Sequence, residues 1–231
     1  IWASQGRFLP LHSAAVAYQG QGILLPGGSG SGKTTLALEL AAGGLDYLSD
    51  EYAPIDLDGL LVWPFPRPLQ ASAEAVQTLL GARGREITEE QPLLDNNGIP
   101  RYVVNPRGVA SIGRPCPISY VIFPVMQSGQ RAELQPLPRV EALVELAHLA
   151  IVYHPDPAWK GRSVDALLAL VRQAPCYRLL LGRIGTNGEV IRSLLSGENK
   201  GGIPKASNSD DIGFLDVVSE RIRQLLPEEE Y

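Results

Sequence analysis

Sulfur is scarce in this 231-residue chain, which has one methionine and two cysteines. Cys116 and Cys176 stand in separate segments with no second cysteine near either, so no disulfide framework and no cysteine-based metal or redox pair is on offer. A reducing compartment fits that pattern. Positive charge is in the minority as well: 20 Lys and Arg stand against 25 Asp and Glu, for a net charge of −5 and a pI of about 5.3. Such a field repels a polyanion, which argues against nucleic acid as a partner. No apolar run approaches the roughly 18 residues that a membrane helix needs, and no charged-then-apolar leader opens the sequence. The expectation is a cytoplasmic protein without a membrane partner. The only methionine is Met126 and the first residue is Ile1, so we expect the native polypeptide to extend upstream.

What is present has the balance of a folded domain, with 45% hydrophobic and 19% charged residues. A chain of this length can bury roughly 70–75% of its unfolded surface without crosslinks. Residues 14–25 form two apolar runs separated by Gly20 and Gly22, which predicts a β-hairpin. After a glycine-rich break, residues 34–42 are strong helix formers stopped by Gly43 and Gly44. Residues 45–49 read as a short buried strand, and 55–62 as a second hairpin turning at Asp58-Gly59. Pro64, Pro66 and Pro68 interrupt any ladder before helical composition resumes over 71–80. Residues 81–101 show no periodicity and read as a long functional loop, a candidate flap. Core strands are expected over 119–123 and 176–181, and helices over 139–153 and 163–173. Residues 196–211 are too polar and glycine-rich for a core, and amphipathic spacing returns at 214–226.

The strongest signal lies between the first hairpin and the first helix. Gly27-Gly28-Ser29-Gly30-Ser31-Gly32-Lys33-Thr34 matches the pattern G-x-x-x-x-G-K-S/T after a strand and before a helix, which is the context that gives the pattern meaning. Glycines let backbone N–H groups curl around an anion, and the helix N-terminus adds partial positive charge. Lys33 is positioned for the outer phosphates, Thr34 for Mg²⁺, and Thr35 follows on the same first turn. The implied ligand is a metal-bound nucleoside triphosphate, ATP with Mg²⁺. Asp50 and Glu51 follow one helix and one strand later, which is the place for a proton acceptor and metal ligands. Adjacent acids also occur as plain exposed turns. His12 precedes the hairpin strand whose partner enters the loop, although a lone histidine is more often a surface or core residue. Of Arg83, Arg85, Arg101, Arg107 and Arg114, we favour Arg107 as the cation for the transition state.

Absent motifs narrow the class of phosphate-loop protein. The one Asn-Lys pair, Asn199-Lys200, is followed by Gly201-Gly202 rather than by the x-Asp of a G-domain. Leu195-Ser196-Gly197-Glu198 stops short of the LSGGQ signature of ABC ATPases, and Asp50-Glu51 comes too early for a motor ATPase.

In His12, the hairpin 14–25, the loop 27–34, a short helix, and then Tyr47-Leu48-Ser49-Asp50-Glu51, the chain resembles the HPr kinase/phosphorylase family, in particular its shorter relatives such as lasso-peptide-cluster kinases. Similarity is looser at Val121-Ile122-Phe123-Pro124 and over 174–179. The resemblance implies an α/β P-loop kinase domain of the HPr kinase C-terminal and phosphoenolpyruvate carboxykinase type, with a central mixed β-sheet and flanking helices. It implies a serine kinase acting on a small protein or peptide, with Asp50 as the base, Lys33 and Thr34 on the phosphates and Mg²⁺, and His12 near the reacting phosphate. It also implies a homo-oligomer. Two departures mark this chain: Glu51 stands for the second Asp of the family's pair, and Val104-Asn105-Pro106-Arg107-Gly108 keeps only the Arg-Gly of the family's Leu-Glu-Ile-Arg-Gly signature. The expectation is a dedicated kinase without phosphorolysis, built as a catalytic domain over 1–195, a linker over 196–211 and a C-terminal helix over 212–231. A small-metabolite kinase and a non-catalytic nucleotide-binding module are the alternatives.

Overall fold

The computed structural model describes residues 6–88, 91–95, 97–129, 131–150, 156–197, 215, 217–220 and 222. Strand β1 (Phe8–Tyr18) turns at Gln19-Gly20 into β2 (Gln21–Pro26), the expected hairpin, with Val16 opposite Ile23 and Ser13 opposite Pro26. β1 starts earlier than the sequence suggested, so His12 lies inside the strand. The reason is a second partner: the first half of β1 pairs with β4 (Tyr52–Asp56), His12 facing Tyr52 in the register, while the second half pairs with β2 and β3 (Asp46–Ser49). Helix α1 (Lys33–Ala42) joins β2 to β3 and ends at Gly43, as expected from its composition.

β4 turns through Asp58-Gly59 into β5 (Leu61–Val62), which reaches the start of β9 (Cys116–Val125). β9 runs parallel to β2 and to β11 (Cys176–Leu180), and β10 (Glu133–Pro136) closes that edge. The result is an eight-stranded mixed sheet in an α/β chain. Side chains alternate across it at the period of two that strands impose: Leu24, Val121 and Phe123 face one core, and Ile23, Leu25 and Ile122 face the other. Helices α4 (Arg139–Leu149) and α5 (Pro157–Gln173) cover the first face, with α5 supplying buried Trp159 and Leu170. α1, α2 (Ala73–Leu80) and α6 (Asn187–Leu195) cover the second.

Several boundaries differ from the sequence reading. α5 begins six residues earlier than expected because Asp156 accepts a hydrogen bond from Ala158 N and Pro157 occupies the first turn, where its missing N–H costs nothing. α4 ends at Leu149, and 151–155 lie outside the described residues. Within the flap expected over 81–101, residues 81–88, 91–95 and 97–101 are described and carry regular structure. They hold a 3₁₀ turn (Gly81–Arg83), helix α3 (Gly84–Ile87) and strand β7 (Leu93–Leu94), which pairs with β8 (Pro100–Val104). An Asx turn makes that hairpin: Asp95 Oδ1 accepts from the N–H groups of Asn97 and Ile99, and Gly98 takes φ 73°. β8 pairs on its other side with β6 (Leu69–Ala71).

The linker expected over 196–211 falls outside the described residues from 198 onward. Within the C-terminal segment, 215, 217–220 and 222 are helical; Leu215 is fully buried, and Val218 and Ile222 pack on the core beneath α4 and α5. Phe214, Leu225 and the rest of 223–231 lie outside the described residues. No helix among the described residues is long and apolar enough to cross a membrane.

One buried charge ties α1 to α6. The Glu39 carboxylate, 5% exposed, accepts from Gly188 N at 2.6 Å and from Gly185 N and Asn187 Nδ2 at 2.9 Å. A negative group there meets the open amides at the start of α6. Glu39→Ala leaves the buried Gly188 N–H without its partner and removes one acceptor from Asn187 Nδ2, which keeps Arg183 O, so we expect it to cost about 1–3 kcal/mol in urea unfolding. An unchanged urea midpoint would contradict this account.

Candidate functional site

β2 delivers the chain to Pro26, the loop turns, and α1 starts at Lys33. Gly30 and Gly32 take φ values of 81° and 90°, in the left-handed region where a side chain is strained. At Gly32 a Cβ would also crowd the end of the Leu181 side chain, which adds to the strain of the backbone there. No side chain caps the N-terminus of α1, and the first-turn amides of a helix have no intrahelical partner. The buried Ser31 Oγ has no hydrogen-bond partner. These are the features of a loop shaped to receive an anion.

The acids arrive from β3. Asp50, 4% exposed, presents both carboxylate oxygens to Thr34 Oγ1, at 3.1 and 3.0 Å. Its burial, reinforced by the neighbouring Glu51 charge, pushes the Asp50 carboxyl up from 3.8 to about 6, against the pull of Thr34 and Lys33. Glu51 takes φ 71°, a conformation that costs a non-glycine residue about 1–3 kcal/mol and is held only where neighbours insist on it. Here they do. Its carbonyl accepts from Ser13 N at 3.2 Å, Oε2 lies 3.2 Å from His12 Nε2, and Oε1 lies 3.3 Å from Lys33 Nζ. Lys33, 3% exposed, also reaches Gly28 O at 3.5 Å. Glu51 thus stands as an anionic partner for Lys33 over the loop.

These groups open onto one cleft of about 610 Å³, within the size range of small-molecule sites. Ser29, Gly30, Gly32, Lys33, Thr34, Thr35, Asp50 and Glu51 line it; Gly27, Gly28 and Ser31 complete the loop. His12 joins through Glu51 rather than by lining the cleft. Arg107 does not join it. Asn105 Oδ1 accepts from Arg107 N and caps a 3₁₀ turn over Pro106–Gly108, which sets Arg107 on a neighbouring cleft with Pro66 and Ile87. Besides Lys33, the cations the structure brings to the cleft beside the glycine loop are Arg67 and Arg101, the latter held by Asp95 at 3.0 Å. Arg67 was missed at the sequence level, although Pro64-Phe65-Pro66-Arg67-Pro68 offered a signal: a stiff segment presenting one cation.

Compared with known proteins, the chain matches no family model and no curated protein.

The donor set suits Mg²⁺ better than a transition metal. Thr34 and two carboxylates, Asp50 and Glu51, are hard oxygen ligands, and Mg²⁺ commonly takes one or two carboxylates together with substrate phosphates. No group of three or more His, Cys, Asp or Glu residues arranged to hold a metal ion by themselves occurs among the described residues.

A raised carboxyl has a consequence for stability. Between pH 3.8 and about 6 the native state binds a proton at Asp50 that the unfolded chain has released, so stability falls as pH rises through that window and the cost is full above it. In nucleotide- and metal-free protein, Asp50→Asn should therefore be more stable than wild type by about 1–3 kcal/mol at pH 8. The difference should vanish near pH 4. Denaturant titrations at the two pH values check this, and equal stabilities at pH 8 would contradict it.

Proposed function

We propose that this protein is an ATP-dependent phosphotransferase that moves the γ-phosphoryl of its nucleotide to a hydroxyl, a serine of a small protein or peptide. One observation carries the reading: an uncapped phosphate loop and a buried carboxylate of raised basicity, bonded to Thr34, share a single cleft. The resemblance at residues 12–51 to HPr kinase-type P-loop domains supports it, and we propose that fold type for the chain.

The loop amides and the Lys33 ammonium would bind the triphosphate tail, and Glu51 would yield Lys33 to the phosphate oxygens. Thr34, Asp50 and Glu51 would hold Mg²⁺, which supplies charge neutralisation on the phosphate oxygens when bound. At neutral pH the Asp50 carboxylate, its pKa raised to about 6 in the metal-free protein, is ionised and able to accept a proton, and Mg²⁺ held beside it would lower its proton affinity from that value. Asp50 would take the proton of the acceptor hydroxyl as that oxygen bonds to the γ-phosphorus. The bond from phosphorus to the bridging oxygen then breaks, and ADP leaves.

The test is transfer from γ-labelled ATP to small proteins and to peptides encoded beside this gene, read by label and by intact mass. Wild type should phosphorylate a serine, and Asp50→Ala and Lys33→Ala should each lower the rate at least about a hundredfold. Undiminished transfer by Asp50→Ala would remove the mechanism. Nucleotide binding without transfer to any protein, peptide or metabolite would replace the kinase by a binding module.

A further inference from the structure

Three cations line the phosphate-loop cleft, and two are already engaged: Lys33 by Glu51, and Arg101 by Asp95. The third, Arg67, has an exposed side chain and no ion pair among the described residues. Its backbone, by contrast, is firmly mounted. Phe65 N donates to Leu48 O at 2.8 Å, Arg67 N donates to Phe65 O at 2.8 Å, and the buried Tyr47 hydroxyl donates to Arg67 O at 3.1 Å. Pro66 and Pro68 flank it and fix φ on either side. Two of these bonds lead directly to β3, the strand that runs into Asp50, and the third ties Arg67 to Phe65 within the same segment. The position of Arg67 relative to the carboxylate is therefore set by the same strand.

The Arg67 backbone is bonded to Tyr47, three residues before Asp50, and both Arg67 and Asp50 line the one cleft. A free guanidinium on a rigid mount is suited to a tetrahedral oxyanion, with little left to reorganise on binding.

We infer that Arg67 receives the terminal phosphate of the nucleotide and stays on it as it is transferred, the part the sequence had suggested for Arg107. This rests on the phosphotransferase reading above. It adds a specific discrimination: a nucleotide without the third phosphate leaves Arg67 unengaged.

Calorimetry with Mg-ATP and Mg-ADP tests it on wild type, Arg67→Ala, Arg67→Lys and, as a charge control, the exposed Arg85→Ala. Arg67→Ala should weaken ATP binding about ten- to a hundredfold and leave ADP within about twofold. Arg67→Lys should recover part of the ATP affinity, Arg85→Ala should change neither, and the melting temperature of Arg67→Ala should match wild type. Equal losses for ATP and ADP, or an unchanged ATP affinity, would overturn the assignment while leaving the phosphotransferase intact. Unchanged ATP affinity with lost transfer would move Arg67 to the acceptor, which also overturns it. A wild-type protein that binds neither nucleotide would sink the function and this inference together.

Discussion

The contact between the Thr34 hydroxyl and the Asp50 carboxylate joins the two halves of the site. Thr34 sits on the first turn of α1, after the glycine loop, and Asp50 sits at the end of β3. The two segments are coupled because α1 and β3 are joined by the short turn Gly43-Gly44-Leu45 and both lie against β1. Burial makes the contact consequential: a carboxylate that has lost its water depends on the donors it keeps. The same burial raises its affinity for a proton, which is the property a general base needs.

A second constraint acts through Glu51. Its left-handed backbone swings the side chain back over β1, so that one carboxylate spans His12 and Lys33. Without a ligand the lysine of the loop is already matched by negative charge, which limits the cost of burying it. A triphosphate offers the same lysine more oxygens and more charge. In the function we propose, binding would exchange one anion for another and would free Glu51 for a cation.

The glycine-rich turn over 27–32, the first hairpin, α1 and the position of Asp50 were legible in the sequence because each is written in local chemistry: glycines at left-handed positions, alternating apolar residues, strong helix formers. The strand limits at His12 were not, since they depend on β4 pairing with the outer half of β1, a contact between residues far apart in the chain. The pairing of β7 with β8 had a local signal, the sequence Asp-Asn-Asn-Gly at 95–98, but two-residue strands such as β7 carry too little periodicity to announce themselves. Arg107 and Arg67 differ for a similar reason. Both are arginines beside prolines, and only the attachment of 65–67 to β3 distinguishes the one that faces the phosphate loop.

Amide hydrogen exchange over residues 27–34, with and without saturating Mg-ATP, tests the central claim most directly. The account predicts that the amides of this loop and of the first turn of α1 slow by at least about tenfold with nucleotide, while those of β10 at the opposite edge of the sheet do not change. Exchange in the loop that is the same with and without millimolar Mg-ATP would contradict it.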